Sequence, residues 1–563
     1  MESPPATGWG SGKHAVELYV RTYTTMLQSS GEIKVDSLVQ THIRMGSVLH
    51  PLAGQPQSDM GALLYAVRRL PRAIDRSRHV VMGQSPQGFR AVLGADIMEW
   101  QPVKAPARRR RWYHDGDTLA VLIASMSDID DLVPSLVAYQ IEWNKLHASL
   151  QDVELGDEAA REAAGATEED WQRLHEAWGE TFDATLAAVK NEECHIGLRL
   201  IGGSHLGYAR IASRWWLPIA AAMDEMGVRE APVYFVSSNS HSLVNVLSGT
   251  ARDFEPEILQ WIRENDPDLE DERRKLEIGH SRASRQNWLY FGARQIFDLH
   301  PDRERLRRRR VEIEASRGIC HIPARGTGVD SAAQIFKISS LEPASIDPRV
   351  GGLDVERLRA SDACILNVDY PLGLAAYHIL RQVAENSSWV AGVYVMGKAA
   401  TLNSDVGDVM IPNVVYNEHS GNTYWLDNAL AASDVQPHLV YGSAVDNQRA
   451  VAVRGTFLQN RDYLEFYYQG HYTVVEMEAG PYLDACYEIG QPERYPVGES
   501  VNMAQVNFDL GIVHYASDTP YTQARTLGAR GLSYRGMDST YASAIAVARR
   551  ILQREEALVS QKK

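Results

Sequence analysis

The sequence predicts an α/β protein in two parts, with a mostly helical α/β domain over residues 1–310 and an α/β/α sandwich with a mixed, mainly parallel sheet over residues 318–555. The first observation is length, because the chain has 563 residues and a single hydrophobic core rarely grows beyond ~300 residues. The second is composition, since 44% hydrophobic and 23% charged residues are typical of a soluble globular chain. The third is patterning, because helical periodicity dominates before residue 318 and short apolar runs alternate with helical patterns after it.

The first part opens with helical periodicity over residues 15–27, 35–49 and 60–74. An apolar run of strand length at 118–125 precedes an acidic turn and an amphipathic run, a pattern that indicates a strand, a capped turn and a helix. The segment PVYFV at 232–236 repeats this pattern. Two such units predict an α/β layer within a mostly helical domain.

Charged side chains are clustered in this part of the chain. We interpret the arginine runs at 108–111 and 307–310 as solvated helix or linker faces, with contacts between domains or to a nucleotide phosphate as the alternative. Asp128, Asp130 and Asp131 favour a helix start, with a metal site as the alternative. The second arginine run closes a highly charged stretch, so it marks the predicted domain boundary.

The second part alternates apolar runs with helical patterns, which is typical of an α/β domain with a mainly parallel sheet. Ligands of open α/β sheets bind beyond the carboxyl ends of the strands, so polar residues that follow a strand are candidate site residues. The predicted strands lie at residues 319–323, 363–368, 391–395, 409–411, 474–475 and 511–514.

The charge balance and the cysteine spacing exclude several classes of protein. Acidic residues outnumber basic ones by 72 to 57, for a formal charge of -15, so phosphate backbones and anionic membranes would repel the chain as a whole. The apolar runs fall short of the ~20 residues that a membrane span needs. The amino terminus has no apolar signal core, so we expect a cytoplasmic protein. The four cysteines contain no C-x-x-C pair, so we expect reduced thiols, no metal and no cofactor.

Three segments of the second part carry residues suited to ligand chemistry. Small residues follow a predicted strand in GKAATLN at 397–403, which VGDVMIP at 406–412 closes. The apolar strand in VVEMEA at 474–479 ends in two carboxylates one residue apart, which strand alternation would place on the same face. The segment YASDTP at 515–520 places Asp518 at the carboxyl end of another strand. We therefore expect the three segments to meet at one pocket.

The order G-x-A-x-x-L-N, V-G-D-V-x-I-P, V-E-M-E-A and S-D resembles the purine nucleoside phosphorylase and uridine phosphorylase superfamily, which includes nucleosidases that use water instead of phosphate. The V-E-M-E-A segment is the specific part of the resemblance. The strand and loop ILNVDYPLG at 365–373 also resembles the family's central β-α-β unit. The resemblance covers residues 318–555, and a helical domain ahead of such a unit is similar to the layout of AMP nucleosidases.

The resemblance implies cleavage of the N-glycosidic bond of a purine nucleoside or nucleotide. By this match, Glu478 accepts hydrogen bonds from the ribose hydroxyls, Met477 packs on the sugar, and Asp518 protonates the purine at N7. A homo-oligomer is also expected by resemblance. The further substrate-binding positions that we assign with it are Glu476, Gly397, Lys398, Ser517, Phe457 as a base-stacking aromatic, and Arg325 in an anion-binding loop.

The sequence also departs from the family in ways that affect the predicted reaction. Phosphorylases usually carry an arginine and a hydroxyl residue at the positions of Val395 and Lys398, so water is favoured over phosphate as the nucleophile. Lys398 and Arg325 could instead meet a phosphate on the 5′ carbon of the substrate. The alternative to an enzyme is a non-catalytic nucleotide-binding or sensor protein.

Overall fold

The structure is a computed structural model that describes residues 9–154, 156–281, 284–324, 328–520, 534 and 536–561. The described residues form two β-sheets surrounded by helices. The first sheet has six strands in the order β1-β6-β2-β5-β4-β3. Its strands are β1 (Ile33–Lys34), β2 (His79–Gly83), β3 (Gln101–Ala105), β4 (Arg108–Asp115), β5 (Thr118–Leu122) and β6 (Gly197–Ile201).

The second sheet has eleven described strands and mixes parallel with antiparallel pairs. Ten of them follow the order β16-β13-β12-β14-β15-β11-β7-β10-β9-β8, and β17 pairs with both β11 and β12. The strands β12, β14, β15, β11 and β17 therefore close into a ring. The eleven strands are β7 (Val233–Ser238), β8 (Ile319–Ile322), β9 (Ala333–Lys337), β10 (Cys364–Asp369), β11 (Val390–Thr401), β12 (Val409–Asn417), β13 (Thr423–Trp425), β14 (Ala444–Ala452), β15 (Val474–Glu476), β16 (Ser500–Asn502) and β17 (Asp509–Asp518).

The helices fall into two groups along the chain. The first group is α1 (Trp9–Ser29), α2 (Asp36–Met45), α3 (Met60–Arg69), α4 (Pro86–Leu93), α5 (Met126–Leu150), α6 (Asp157–Ala163), α7 (Glu168–Trp178), α8 (Phe182–Asn191) and α9 (His205–Glu225). The second group is α10 (Ser242–Ser248), α11 (Thr250–Asp253), α12 (Glu255–Asn265), α13 (Pro267–Glu277), α14 (Arg285–Leu299), α15 (Arg303–Ser316), α16 (Val355–Leu358), α17 (Ala375–Asn386), α18 (Ala432–Val435), α19 (Arg461–Gln469), α20 (Ala479–Gly490) and α21 (Met537–Gln561). No helix in these described ranges is both long and apolar enough to cross a membrane.

The mixed α/β class is confirmed, but the predicted boundary between residues 310 and 318 is not where the second sheet begins. Strand β7 lies inside that sheet, parallel to both β10 and β11. The largest hydrophobic cluster also joins both sheets, since it contains Val80 of β2 and Val474 of β15. Periodicity identifies β7 as a strand, but it does not show which sheet the strand joins.

The arginine run at 108–111 is not a solvated helix or linker face, because it lies on β4. Burial alone would raise the pKa of Asp131, but the charges of Arg108 and Arg110 hold it well below its usual range. Asp131 Oδ1 accepts a bond of 2.7 Å from Arg108, and its Oδ2 accepts a bond of 2.8 Å from Arg110. Asp128 accepts a further bond of 2.5 Å from Arg110 Nε and caps the start of α5. These ion pairs fix β4 against α5.

Replacing Asp131 with asparagine should destabilise the protein strongly. The side chains of Asp131 and Arg110 are 3% and 5% exposed, and removing one partner of a buried ion pair costs about 3–5 kcal/mol. Chemical denaturation of Asp131→Asn should show this loss, whereas Asp152→Asn, at an exposed position, should match the wild type. Equal stability of the two variants would contradict a structural role for the cluster.

Candidate functional site

Two adjacent cavities lie where the first sheet meets the strand ends of the second. The strand-end cavity, of about 160 Å³, is lined by Ser237, Tyr370, Val395, Met396, Gly397, Lys398, Glu476, Glu478 and His514. The arginine cavity, of about 340 Å³, is bounded by Arg69, Arg108, Arg109 and Arg110 from the first part and by 328–331, 370–372, Met477 and Glu478 from the second, among others. Tyr370 and Glu478 line both cavities, so they form the junction between them.

Glu478 is the carboxyl group at this junction. Its Oε1 accepts a hydrogen bond of 3.2 Å from the backbone N–H of Gly373, in the loop before α17. Burial raises the pKa of Glu478 to about 7, against the lowering effects of the Gly373 bond and the charge of Arg108. A carboxylate can accept about four hydrogen bonds, so Glu478 has capacity left for the hydroxyl groups of a ligand.

Glu476 has a different position from the one that strand alternation predicts. Strand β15 ends at Glu476, and its Oε2 accepts the backbone N–H groups of Glu478 and Ala479 at 2.6 and 2.7 Å. It thereby caps α20, in which Pro481 occupies the first turn, where a missing N–H costs nothing. Gly480 is required there because a Cβ atom would lie 2.6 Å from Ala452. Glu476 is therefore first a helix cap.

The other oxygen of Glu476 has no such bond. Its Oε1 is buried and has no hydrogen-bond partner in the described part of the chain. Burial and the neighbouring charge of Glu478 raise the pKa of Glu476 to about 8. A buried polar atom without a partner is costly, and Glu476 is among the residues that line the strand-end cavity.

Asp518 lies at the end of β17, as the sequence predicts, but it is not among the described residues that line either cavity. Its register partner on β11 is Ala400. The Ser517 hydroxyl lies 2.9 Å from Asp518 Oδ1, whereas the buried Oδ2 has no described partner. Burial raises the pKa of Asp518 to about 6, while the Ser517 bond and the charges of Lys398 and Arg69 lower it.

Gly397 and Lys398 line the strand-end cavity, but they are not in a turn after a strand. Strand β11 continues to Thr401, because Gly397 and Lys398 pair with His514 and Tyr515 of β17. A Cβ atom at Gly397 would lie 3.4 Å from the ring of Tyr370. A Cβ atom there would be in ordinary van der Waals contact with that ring.

Neither Phe457 nor Arg325 is seen in the position that the sequence predicts for it. Phe457 is not a base-stacking residue, because its ring is 2% exposed and packs edge-on against Tyr65 in a small core cluster. Tyr370 is the aromatic side chain that both cavities share, and its hydroxyl lies 3.0 Å from that of Tyr515. Arg325 lies outside the described residues.

Contacts between domains or to a nucleotide phosphate were only the alternative for the arginine run at 108–111, and no role was predicted for Arg69. Arg69 ends α3, and Arg108 and Arg110 alternate along β4, so all three reach one cavity. Arg109 also bonds to the Asp369 carboxylate and the Tyr370 carbonyl of the second sheet. The useful signal was an arginine run next to aromatic residues in WYHD at 112–115, a pattern closer to a strand than to a solvated helix.

Comparison with protein-family models identifies a relationship along most of the chain. Residues 35–553 match the model of DUF6909, a family of unknown function. The chain belongs to this family. The comparison with curated proteins gives no match. The DUF6909 match includes strands of both sheets.

Solved structures similar to this DUF6909 protein include nucleosidases and a uridine phosphorylase. A putative methylthioadenosine nucleosidase from Weissella paramesenteroides is 13% identical, with 44% of this chain and 93% of that chain covered and a TM-score of 0.26. The 5′-methylthioadenosine/S-adenosylhomocysteine nucleosidase from Neisseria meningitidis is 14% identical, with 43% of this chain and 93% of that chain covered and a TM-score of 0.27. Uridine phosphorylase from Schistosoma mansoni is 12% identical, with 33% of this chain and 70% of that chain covered and a TM-score of 0.24. Similarity at this level does not identify an activity.

The buried carboxyl groups predict how stability depends on pH. The pKa of Glu476 is raised on folding, so its contribution is most favourable below ~4.3 and is lost as pH rises through about 8. Glu476→Gln removes this titration. The difference in melting temperature between variant and wild type should therefore be more positive at pH 8.5 than at pH 5. A difference that is constant with pH would contradict a buried, titrating Glu476.

Proposed function

We propose that this protein cleaves the N-glycosidic bond of a purine nucleoside or nucleotide, with water as the nucleophile. The observation that carries the proposal is Glu478, a hydrogen-bond acceptor at the junction of two cavities. The V-E-M-E-A segment that contains it is also the specific part of the resemblance to the purine nucleoside phosphorylase and uridine phosphorylase superfamily. In this arrangement the ribose occupies the junction, the base occupies the strand-end cavity, and the 5′ substituent extends into the arginine cavity.

Glu478 acts on the sugar. When the glycosidic bond breaks, the ribose develops oxocarbenium character, and a carboxylate that accepts its 2′ and 3′ hydroxyls gains binding energy in the transition state. The pKa near 7 means that Glu478 is partly ionised at neutral pH. Hydrogen bonds from the substrate favour the ionised form. Met477, which lines the arginine cavity, packs on the sugar.

Asp518 acts on the base. The bond between N9 and C1′ breaks, its electron pair passes to the purine, and Asp518 supplies a proton to N7. The water oxygen forms the new bond to C1′ and releases a proton to solvent. A pKa of about 6 leaves Asp518 partly protonated near neutral pH. Since Asp518 lies beside Ala400 in register, the base must extend along β11 from Gly397.

Water is favoured over phosphate because two lining positions of the strand-end cavity, at which the phosphorylases that the sequence resembles usually carry an arginine and a hydroxyl residue, hold other side chains here. Val395 is apolar, and Lys398 is a single point charge. A phosphate nucleophile needs several converging donors to offset its desolvation. Within the described ranges, no group of three or more His, Cys, Asp or Glu side chains could hold a metal ion.

A non-catalytic nucleotide-binding or sensor protein is the second candidate function. It is favoured by the position of Asp518, which the described cavity linings do not include. In that case the same pocket binds a nucleotide and releases no base. Incubation with purine nucleosides and nucleotides, followed by chromatography for free base, distinguishes the two functions when binding is measured in parallel.

Replacing Glu478 with glutamine should lower turnover by ~10²- to 10³-fold, the cost of removing one charge-stabilising group from an active site. The fold should persist, because a neutral side chain suits this buried position. Base release and the melting temperature are the measurements. Glu493→Gln, at an exposed position, is the matched control and should keep wild-type turnover. Near-normal base release by Glu478→Gln would remove Glu478 from the site.

The products of the reaction should identify the nucleophile. Base release should proceed in phosphate-free buffer, yield ribose or ribose 5-phosphate, and show no acceleration when phosphate is added. The reason is that Val395 and Lys398 stand where the phosphorylases usually carry an arginine and a hydroxyl residue. Detection of ribose 1-phosphate, with a rate that saturates in phosphate, would replace water by phosphate as the nucleophile.

A further inference from the structure

We propose that the arginine cavity is a phosphate-binding site formed by Arg69, Arg108 and Arg110. This inference goes beyond the proposed function and does not depend on it, because it concerns binding by the first part of the chain. The arginine run at 108–111 contributes Arg108 and Arg110, in keeping with the alternative of a nucleotide-phosphate contact for that run, and Arg69 is a residue that the sequence did not single out.

Arg69 is the cation that calls for an anionic ligand. The residue is 5% exposed, and no described carboxylate lies within ion-pair distance of its guanidinium. Its Nη1 donates to the Tyr65 carbonyl at 3.2 Å, and its Nε has no described hydrogen-bond partner. Its Cζ lies 3.2 Å from the centroid of the Tyr65 ring. A buried charge without a counter-ion is costly, so a bound anion would stabilise this arrangement.

Arg108 and Arg110 supply oriented donors rather than net charge. Their charges are matched by Asp131 and Asp128, which also hold the guanidinium planes in place. Each of these two guanidinium groups has one nitrogen that takes no part in the ion pairs. Arg110 Nη1 is buried and has no described partner, and Arg108 Nη1 has a contact of 3.3 Å to the Ala107 carbonyl. Three converging guanidinium groups suit the oxygens of a phosphate.

The other carboxyl groups that line the cavity do not neutralise the positive charge of Arg69. Asp330 and Glu478 are the lining carboxyls that no arginine bonds directly, since Arg111 Nε lies 3.9 Å from Asp330. Burial raises the pKa of Asp330 to about 7, and burial raises that of Glu478 to about 7 as well. Neither group carries a full negative charge at neutral pH, whereas Arg69 stays protonated, with a pKa of about 10.

Two sources of phosphate fit this chemistry. A nucleotide bound at Glu478 would place its 5′-phosphate in the arginine cavity, because the two cavities share Glu478 and Tyr370. Inorganic phosphate could occupy the same donors without a sugar. The shared requirement is a tetrahedral anion on Arg69.

The first experiment measures binding of inorganic phosphate by isothermal titration calorimetry. Arg69→Met should weaken binding at least tenfold, which corresponds to the loss of about 1.4 kcal/mol. Without phosphate the same variant should melt at a higher temperature than the wild type, because it removes an unpaired buried charge. Arg68→Met, on the preceding residue of α3 and outside the cavity lining, is the matched control and should bind like the wild type.

The second experiment separates the two sources with adenosine and adenosine 5′-monophosphate, in the Asp518→Asn background to slow turnover. If the site takes a 5′-phosphate, the nucleotide binds at least tenfold tighter than the nucleoside, and Arg69→Met abolishes this preference. If it takes free phosphate, both ligands bind alike and only inorganic phosphate responds to Arg69→Met.

The inference is overturned if Arg69→Met and Arg68→Met bind inorganic phosphate and nucleotide equally well. Its failure is separate from failure of the proposed function. Phosphate binding through Arg69 without any base release would leave this site in place and remove the enzyme. If base release proceeds and Arg69→Met changes neither the binding of phosphate nor that of nucleotide, the proposed enzyme remains and the phosphate site is removed.

Discussion

The buried ion pairs between β4 and α5 are the constraint on which the rest of the structure depends. Arg108 and Arg110 can be buried only because Asp128 and Asp131 accept their hydrogen bonds. This pairing sets which side chains of β4 point toward α5, and Arg109 then reaches the end of β10 at Asp369. The first sheet is thereby held against the strand ends of the second. The arginine cavity lies at this contact, and Glu478 lies where it meets the strand-end cavity.

The site keeps polar groups in places where they reduce stability. Glu476 Oε1, Asp518 Oδ2 and Arg69 Nε are all buried without described partners, and the pKa values of both carboxyls are raised by burial. Native proteins rarely keep such groups in a core. Perturbed carboxyls at or near a cavity are typical of functional sites. A ligand with hydroxyl groups, a polar base and an anionic end would satisfy them together, which is why one nucleotide-like ligand explains the arrangement better than separate small ones.

Local patterns in the sequence predicted the strands β10, β15 and β17. They also predicted that Gly397, Glu478 and Asp518 share one cavity, and of these Gly397 and Glu478 line the strand-end cavity whereas Asp518 does not. They could not predict which sheet β7 joins, because pairing depends on residues more than 100 positions away. The solvated face was preferred for the arginine run for a similar reason. The carboxylate partners of Arg108 and Arg110 lie 18 to 23 positions along the chain, that of Arg109 lies 260 positions away, and a charge run without visible partners resembles a solvated face. The assignment of Phe457 as a base-stacking residue rested on spacing, and spacing alone does not distinguish an aromatic side chain of the core from one that stacks on a ligand.

The central claim is that one ligand spans both cavities, with Glu478 at its sugar. The most direct test is a crystal structure of the Asp518→Asn variant soaked with a purine 5′-monophosphate. We predict ribose hydroxyls within hydrogen-bond distance of the Glu478 carboxylate, the base against Gly397, and the phosphate on Arg69. A nucleotide bound elsewhere on the protein, with both cavities left to solvent, would contradict the account.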